Sequence, residues 1–113
     1  MGWSRYPVSP KRQRTTQGIT FDSKLEMERY QTLCLLKHAG EILWIKRQPE
    51  FKVTICGKLL CTYTADFKYQ TLRGDIIIED CKSSGTAKDP AFRLRKKAAE
   101  LFHNIKVTEV ISK

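Results

Sequence analysis

The chain has 113 residues, of which 41% are hydrophobic and 29% charged, enough for one compact domain with a modest core. No segment approaches the roughly 18 consecutive apolar residues of a membrane-spanning helix, and the first residues contain no apolar stretch typical of a secretion signal. We therefore expect a cytoplasmic protein that neither enters a membrane nor is secreted.

The net charge of +9 is concentrated at the two ends of the chain. Residues 1–20 contain four basic residues and no acid, residues 21–81 contain nine of each sign, and residues 82–113 contain eight basic and three acidic residues. This distribution indicates a polyanionic partner, most commonly nucleic acid. A charge that serves only solubility is the alternative.

Residues 1–17 are basic and polar, and they predict a flexible N-terminal arm in front of a domain that spans residues 18–113. Its basic residues Lys11, Arg12 and Arg14 are candidates for contact with nucleic acid. A first helix is expected to begin near Ser23, a good N-cap, and to end at Gly40.

Strand-like patterns follow the helix. Residues 42–55 alternate apolar and polar side chains, a hairpin turn is expected at Gly57, and residues 59–69 alternate again. A turn around Gly74 then leads to a third strand over residues 76–82.

The Asp89-Pro90 pair predicts the start of a second helix over residues 90–103. We expect the following side chains to be buried in it: Phe92, Leu94, Ala98, Leu101 and Phe102. A last strand over residues 105–111 completes the order α-β-β-β-α-β, which predicts an α+β fold with a central mixed sheet flanked by helices.

Acidic residues and a lysine lie in or at the ends of the second and third predicted strands. Asp66 is an isolated acid in a strand pattern, where aspartate is unfavourable, and the third strand ends in Glu79, Asp80 and Lys82. Strand alternation places Asp80 and Lys82 on one face and Glu79 on the other. If the two strands form a hairpin, Asp66 and Asp80 approach each other at the edge of the sheet.

Two carboxylates about 4 Å apart repel each other by about 4 kcal/mol at an intermediate dielectric constant. Mg²⁺ relieves such repulsion, because it binds one or two carboxylates together with water and phosphate oxygens. Lys82 beside the metal could orient or deprotonate a water and stabilise charge on phosphorus. The alternative is an ion pair of Lys82 with Asp66 or Asp80 at a strand end, and the spacing does not distinguish the two.

This arrangement resembles the PD-(D/E)XK nuclease superfamily, whose core has the order α-β-β-β-α-β. The matching residues are Glu26 in the first helix, Asp66 in the second strand, and Asp80 and Lys82 in the third. The sequence is also similar to a family of small phage-encoded proteins in four ordered blocks, at residues 21–30, 48–51, 63–69 and 79–82. The resemblance covers residues 18–110. Ala65 replaces the usual proline before the first aspartate, and Ser83 replaces a glycine that often follows the lysine.

The resemblance implies a restriction-endonuclease-like core and an Mg²⁺-dependent endonuclease, with Mn²⁺ as a substitute metal. It implies that Asp66 and Asp80 bind the metal, that Glu26 supports the metal or its water, and that Lys82 positions the nucleophile. Glu26 also fits a capping box with Ser23, a structural alternative. Gln48 is either an active-site neighbour or an ordinary edge-strand residue.

The DNA substrate implied by analogy is branched, as for Holliday-junction resolvases that act in phage recombination in the host cytoplasm. Such enzymes act as homodimers, since they cut two symmetric strands. Arg93, Lys96 and Lys97 on the second helix are candidates for phosphate contact, against the alternative of a solvated helix face. The alternative function is a non-catalytic nucleic-acid-binding module that keeps the nuclease fold.

Overall fold

The computed structural model describes residues 10–82 and 89–111. Its elements are a short 3₁₀ helix (Lys11–Arg14), β1 (Thr15–Thr16), β2 (Ile19–Thr20), α1 (Lys24–His38), β3 (Ile42–Arg47), β4 (Glu50–Ile55), β5 (Lys58–Thr64), β6 (Phe67–Thr71), β7 (Ile76–Lys82), α2 (Pro90–His103) and β8 (Val107–Ile111). None of the helices in these two described ranges is long and apolar enough to cross a membrane.

The predicted α+β fold with a mixed central sheet is confirmed. The central sheet has the strand order β3-β6-β7-β8, in which only the β7–β8 pair is parallel. Strands β4 and β5 pair with each other as a separate antiparallel hairpin. The parallel pair requires a crossover, and α2 lies in the connection between its two strands.

Two apolar cores lie on the two sides of the central sheet. The core on the α1 side contains Phe21, Met27, Leu33, Ile42, Phe67, Tyr69 and Cys81. The core on the α2 side also includes the β4–β5 hairpin and contains Phe51, Val53, Tyr63, Ala65, Ile78, Phe92, Ala99 and Val107. Residues of β7 on opposite faces therefore contribute to different cores, as strand alternation requires.

The boundaries of α1 agree with its sequence signals. The Ser23 hydroxyl accepts a hydrogen bond from the backbone N–H of Glu26 at 3.0 Å, and Gly40 has a φ of +85° just after the helix ends. The N-cap of α2 is also as expected, because the Asp89 side chain accepts from the Ala91 N–H at 3.0 Å. Local capping chemistry thus fixed both helix starts.

Each of the first two predicted strands is interrupted. Residues 42–55 form two strands because Pro49 lacks an N–H and Gln48 adopts a φ of +51°. Residues 59–69 break opposite this point, at Ala65 and Asp66. Two backbone hydrogen bonds join the two breaks. The Gln48 N–H donates to the Asp66 carbonyl at 2.9 Å, and the Ala65 N–H donates to the Pro49 carbonyl at 3.1 Å. The placement of Asp66 in a strand interior was therefore wrong, since it lies at a bend.

The predicted buried face of α2 needs correction. Phe92 and Ala99 are buried, but Leu94 and Leu101 are each 71% exposed and Phe102 is 50% exposed. The helix is rotated so that the stripe through Phe92, Lys96 and Ala99 faces β8 and the β4–β5 hairpin. Lys96 can lie on this inward face of the helix because Glu109 of β8 pairs with it. The sequence pattern of α2 alone does not show this partner.

The N-terminal segment also differs from the expectation. Residues 1–9 of the predicted arm lie outside the described residues. Residues 11–16 form the 3₁₀ helix and β1, which pairs with β2. The Phe21 N–H donates to the Arg14 carbonyl at 2.8 Å, so this part of the predicted arm is hydrogen-bonded to the start of the domain.

Candidate active site

Asp66 lies at the bend between β5 and β6, and its side chain turns toward β7. Its backbone N–H donates to the Glu79 carbonyl at 3.0 Å, and its Oδ2 accepts from the Cys81 N–H at 2.6 Å. The bend thus directs the carboxylate across β7 instead of leaving it in a regular ladder. The approach of Asp66 to Asp80 that a hairpin predicts is present.

Asp80 is fully buried and lies near the C-terminal end of β7. Its Oδ2 accepts a hydrogen bond from the Tyr63 hydroxyl, and its Oδ1 lies 3.3 Å from Lys82 Nζ but has no hydrogen-bond partner. Lys82 Nζ also lies 5.1 Å from the centre of the Phe92 ring on α2. Asp80 and Lys82 therefore share one face of β7, as strand alternation predicted.

Glu26 enters the site from the first turn of α1. Its side chain is only 3% exposed, and its Oε1 is buried without a hydrogen-bond partner. The Ser23 half of the capping box is formed, but no described hydrogen bond returns from the Glu26 carboxylate to the cap. Capping therefore explains Ser23 and leaves the carboxylate of Glu26 unexplained.

Burial and neighbouring charges perturb Glu26 and Asp66. Burial, with a contribution from Asp22, raises the pKa of Glu26 to about 7. Burial, together with the close approach and negative charge of Asp80, raises the pKa of Asp66 to about 8. Such a cluster disfavours its own ionisation, because each buried charge lacks enough opposite charge nearby.

Lys82 is the cation of this cluster. Burial lowers the pKa of Lys82, but the negative charges of Asp80 and Asp66 outweigh that effect and raise it overall. The side chain is thus held as an ammonium group. The ion pair with Asp80, which was the structural alternative for Lys82, is formed, and an ammonium group is suited to stabilising negative charge better than to deprotonating a water.

The donor set fits a divalent cation such as Mg²⁺. Glu26, Asp66 and Asp80 provide hard oxygen ligands, and two of their oxygens are buried without hydrogen bonds. Burial is the main cause of the raised pKa of Glu26 and of Asp66, and a cation would offset both this cost and the repulsion from neighbouring carboxylates. Within residues 10–82 and 89–111, however, no group of three or more His, Cys, Asp or Glu side chains is arranged so that it could hold a metal ion.

Glu79 belongs to a different environment on the other face of β7. Arg29 of α1 donates to both of its carboxylate oxygens, at 2.8 and 2.7 Å, and the Tyr69 hydroxyl donates at 2.6 Å. No pattern in the sequence predicted this network. Its only signal was Arg29, which follows Glu26 by three residues on α1 and lies in the same sequence block.

Tyr63 and Gln48 each form a hydrogen bond with a carboxylate residue of the candidate site, Tyr63 through its side chain and Gln48 through its backbone. Tyr63 orients Asp80, and burial followed by the charge of Asp80 raises the pKa of the Tyr63 hydroxyl. Gln48 has an exposed side chain, and its link to the site is the backbone hydrogen bond to Asp66. Gln48 therefore adjoins the candidate site through its main chain, and a role in catalysis stays a prediction.

The candidate phosphate-binding residues divide into two groups. Arg93, Lys97, Lys11 and Arg12 are exposed. Lys96, expected to face solvent, instead pairs with Glu109 of β8 at 3.0 Å. Arg14 is half-buried and donates from Nη1 to the Phe21 carbonyl. Lys96 and Arg14 thus have roles within the fold. Ser83, which follows the motif lysine, lies outside the described residues.

Comparison with known proteins gives one match. No curated protein and no solved structure matches the chain. A family model described as "Protein of unknown function (DUF1064)" matches residues 9–113, and this match spans most of the chain. The protein therefore belongs to the DUF1064 family.

Proposed function

We propose that the protein is a metal-dependent endodeoxyribonuclease that hydrolyses phosphodiester bonds. The observation that carries this proposal is the convergence of Glu26, Asp66 and Asp80 with Lys82 at one end of the central sheet. Buried carboxylates with raised pKa values and unpaired oxygens are costly to the fold, and such groups concentrate at functional sites. The sequence resemblance to PD-(D/E)XK nucleases supports the same assignment.

In this proposal Asp66, Asp80 and Glu26 hold the metal ion. Mg²⁺, or Mn²⁺ in its place, supplies Lewis-acid stabilisation of charge on the phosphate and an acidified water. Lys82 places its ammonium beside Asp80 and stabilises the negative charge that develops on the phosphate oxygens. Tyr63 holds Asp80 in one orientation through its hydroxyl.

The reaction is a hydrolysis. The oxygen of a water bonds to phosphorus, the bond from phosphorus to one ester oxygen breaks, and that oxygen leaves with a proton. The exposed side chains of Arg93 and Lys97 lie on α2, whose Phe92 contacts the site lysine. They are suited to contacts with the phosphate backbone, which carry no sequence information.

Branched DNA processed in phage recombination, in the cytoplasm of the bacterial host, is the substrate that the resemblance favours. A homodimer follows if two symmetric strands are cut. The absence of any evident base-reading element among the described residues agrees with recognition of DNA shape and backbone.

The test is a cleavage assay with purified protein on supercoiled plasmid and on linear, flapped, single-stranded and four-way-junction DNA. We expect cleavage in Mg²⁺ and Mn²⁺ and none in EDTA, with the junction cut fastest. DNA binding in EDTA without cleavage in any metal would overturn the nuclease and leave a non-catalytic nucleic-acid-binding module.

A further inference from the structure

Arg47, the last residue of β3, has an unusual environment that the site described above does not use. Its guanidinium lies over the Phe21 ring, with Cζ 4.5 Å from the ring centre. Its Nε is buried and has no hydrogen-bond partner. Within residues 10–82 and 89–111, no hydrogen bond or ion pair holds this guanidinium to a carboxylate.

The stack on Phe21 fixes the position of the arginine. Phe21 packs against Tyr30 with ring centres 5.2 Å apart, and Tyr30 stacks on Phe67 at 5.9 Å. Phe21 and Phe67 are almost completely buried. A guanidinium held against such a rigid aromatic group has given up much of its rotational freedom before it meets a ligand.

This position is beside the carboxylate cluster. Arg47 pairs with Phe67 in the central sheet, and the next residue, Gln48, donates its backbone N–H to Asp66. The positive charge of Arg47 is close enough to Glu26 to oppose the burial that raises the pKa of that carboxyl. Arg47 therefore lies at the same end of the sheet as Glu26 and Asp66, on the α1 side.

A phosphodiester that approaches three carboxylates is repelled unless fixed cations offset them. Lys82 is 3.3 Å from Asp80, where the proposed function places the reacting phosphate, and Lys96 pairs with Glu109 at 3.0 Å, so neither lysine is left to hold the strand on the α1 side. Arg47 has a planar guanidinium whose fork geometry matches two phosphate oxygens. It is thus the best-placed group at this end of the described sheet for an incoming phosphate.

We propose that Arg47 binds a backbone phosphate of the DNA strand at the mouth of the carboxylate cluster. The assignment of DNA as the ligand rests on the proposed nuclease function. Arg47 holds the strand from the α1 side, while the exposed basic residues of α2 contact it from the other side. The unpaired guanidinium is then a binding group whose hydrogen-bonding partner arrives with the substrate.

The test measures binding of short fluorescein-labelled duplex and four-way-junction DNA to the full chain in EDTA, where cleavage does not interfere. Arg47→Gln should weaken binding about tenfold, the effect typical of removing a charge-assisted hydrogen bond. The slope of log K against log salt should decrease by about 0.9, because one phosphate fewer is neutralised in the complex. Arg73→Gln is the matched control, because Arg73 is an exposed arginine in the turn at the opposite end of β6 and β7. Equal weakening in both variants, or unchanged binding in Arg47→Gln, would overturn the proposal.

Arg47→Lys guards against loss of folding, since it keeps the charge but removes the planar fork. We expect this variant to keep the salt slope and to bind several-fold more weakly than the wild type. Binding equal to that of the wild type would contradict the proposed bidentate contact. Wild-type cleavage with unchanged Arg47→Gln binding refutes the Arg47 assignment alone, whereas weakened Arg47→Gln binding without any wild-type cleavage refutes the nuclease alone.

Discussion

Glu79 and Asp80 are adjacent acids on β7, both buried, yet their environments differ completely. Both oxygens of Glu79 receive hydrogen bonds, from Arg29 and Tyr69. Asp80 receives one from Tyr63, while its other oxygen has no hydrogen bond and lies 3.3 Å from Lys82 Nζ in a site shared with Asp66. A buried carboxylate that is fully paired stabilises a particular fold, whereas one left under-compensated is available for a ligand.

The largest expected effect comes from replacing Asp80, the acid of this pair that belongs to the candidate site. Asp80→Asn should reduce metal-dependent DNA cleavage by on the order of a thousandfold, because it removes a charged ligand from the cluster. Glu79→Gln should change the cleavage rate of the folded protein much less, since Glu79 faces Arg29 and Tyr69. The measurement is the single-turnover rate on a four-way junction, with circular dichroism to show that both variants fold.

DNA binding in EDTA is the control for this pair of variants and should be retained in Asp80→Asn. The opposite ranking, with activity abolished in Glu79→Gln and kept in Asp80→Asn, would contradict the assignment of the metal site.

The second prediction tests whether the ion pair between Glu79 and Arg29 stabilises the fold. Arg29→Met leaves the Glu79 carboxylate buried without its cation, and we expect it to lower the free energy of unfolding by about 3 kcal/mol. Urea denaturation measures this decrease. The double variant Arg29→Met, Glu79→Leu should recover most of it, because the uncompensated charge is gone. A single variant as stable as the wild type would show that the ion pair contributes little.

The third prediction concerns pH. Glu26 and Asp66 have higher pKa values in the folded protein, about 7 and 8, than their ordinary 4.5 and 3.8, so the folded state binds more protons than the unfolded state. Their contribution to stability is fully present at a pH below the ordinary pKa values of the two groups. It is lost as the pH rises through their folded-state pKa values of about 7 and 8. In EDTA, we expect these groups to lower the free energy of unfolding as the pH rises from 5 to 9.

Urea unfolding of wild type and Asp66→Asn across this pH range tests the sign. Burial is the largest cause of both raised pKa values; Asp80 adds to both and Asp22 to that of Glu26, while Arg47 and Lys82 oppose the shift of Glu26. Asp66→Asn should lose less stability with rising pH, because the amide does not titrate. Parallel stability curves for the two proteins would show that Asp66 does not carry the effect. Mg²⁺ should raise the wild-type melting temperature more at pH 8 than at pH 5.

The smallest expected effect extends the comparison to a second pair of neighbours, Lys96 and Lys97. Lys97 is exposed, so Lys97→Gln should weaken DNA binding a few-fold and reduce the salt slope by about 0.9. Lys96 pairs with Glu109, so Lys96→Gln should leave the slope unchanged and lower the melting temperature slightly. Fluorescence anisotropy titrations at several salt concentrations measure both. A larger slope change in Lys96→Gln would reverse the assignment.

Much of the framework followed from local sequence signals. The Ser23 and Asp89 caps predicted where both helices begin, because a capping side chain acts on a backbone N–H two or three residues away. Strand alternation predicted that Asp80 and Lys82 share a face that Glu79 does not, because the side-chain period of a strand is two. The residues proposed for the metal were found through their pattern and resemblance, and their function stays a prediction.

Features set by distant partners were missed or wrong. The bend at Asp66 depends on Gln48 and Pro49, which lie far away in sequence but adjacent in the fold. The rotation of α2 depends on Glu109, which forms an ion pair with Lys96 and so allows a lysine on the inward face of the helix.

The sequence by itself therefore determined the two helices, the third predicted strand and the faces of β7, since these depend on contacts between residues near one another in the chain. Only the tertiary structure decided which charges are paired. Arg29 neutralises Glu79 across 50 residues, while Glu26, Asp66 and Asp80 meet with too little compensating charge. Burial and long-range Coulomb interactions depend on three-dimensional distance, and no periodicity in the sequence encodes that distance.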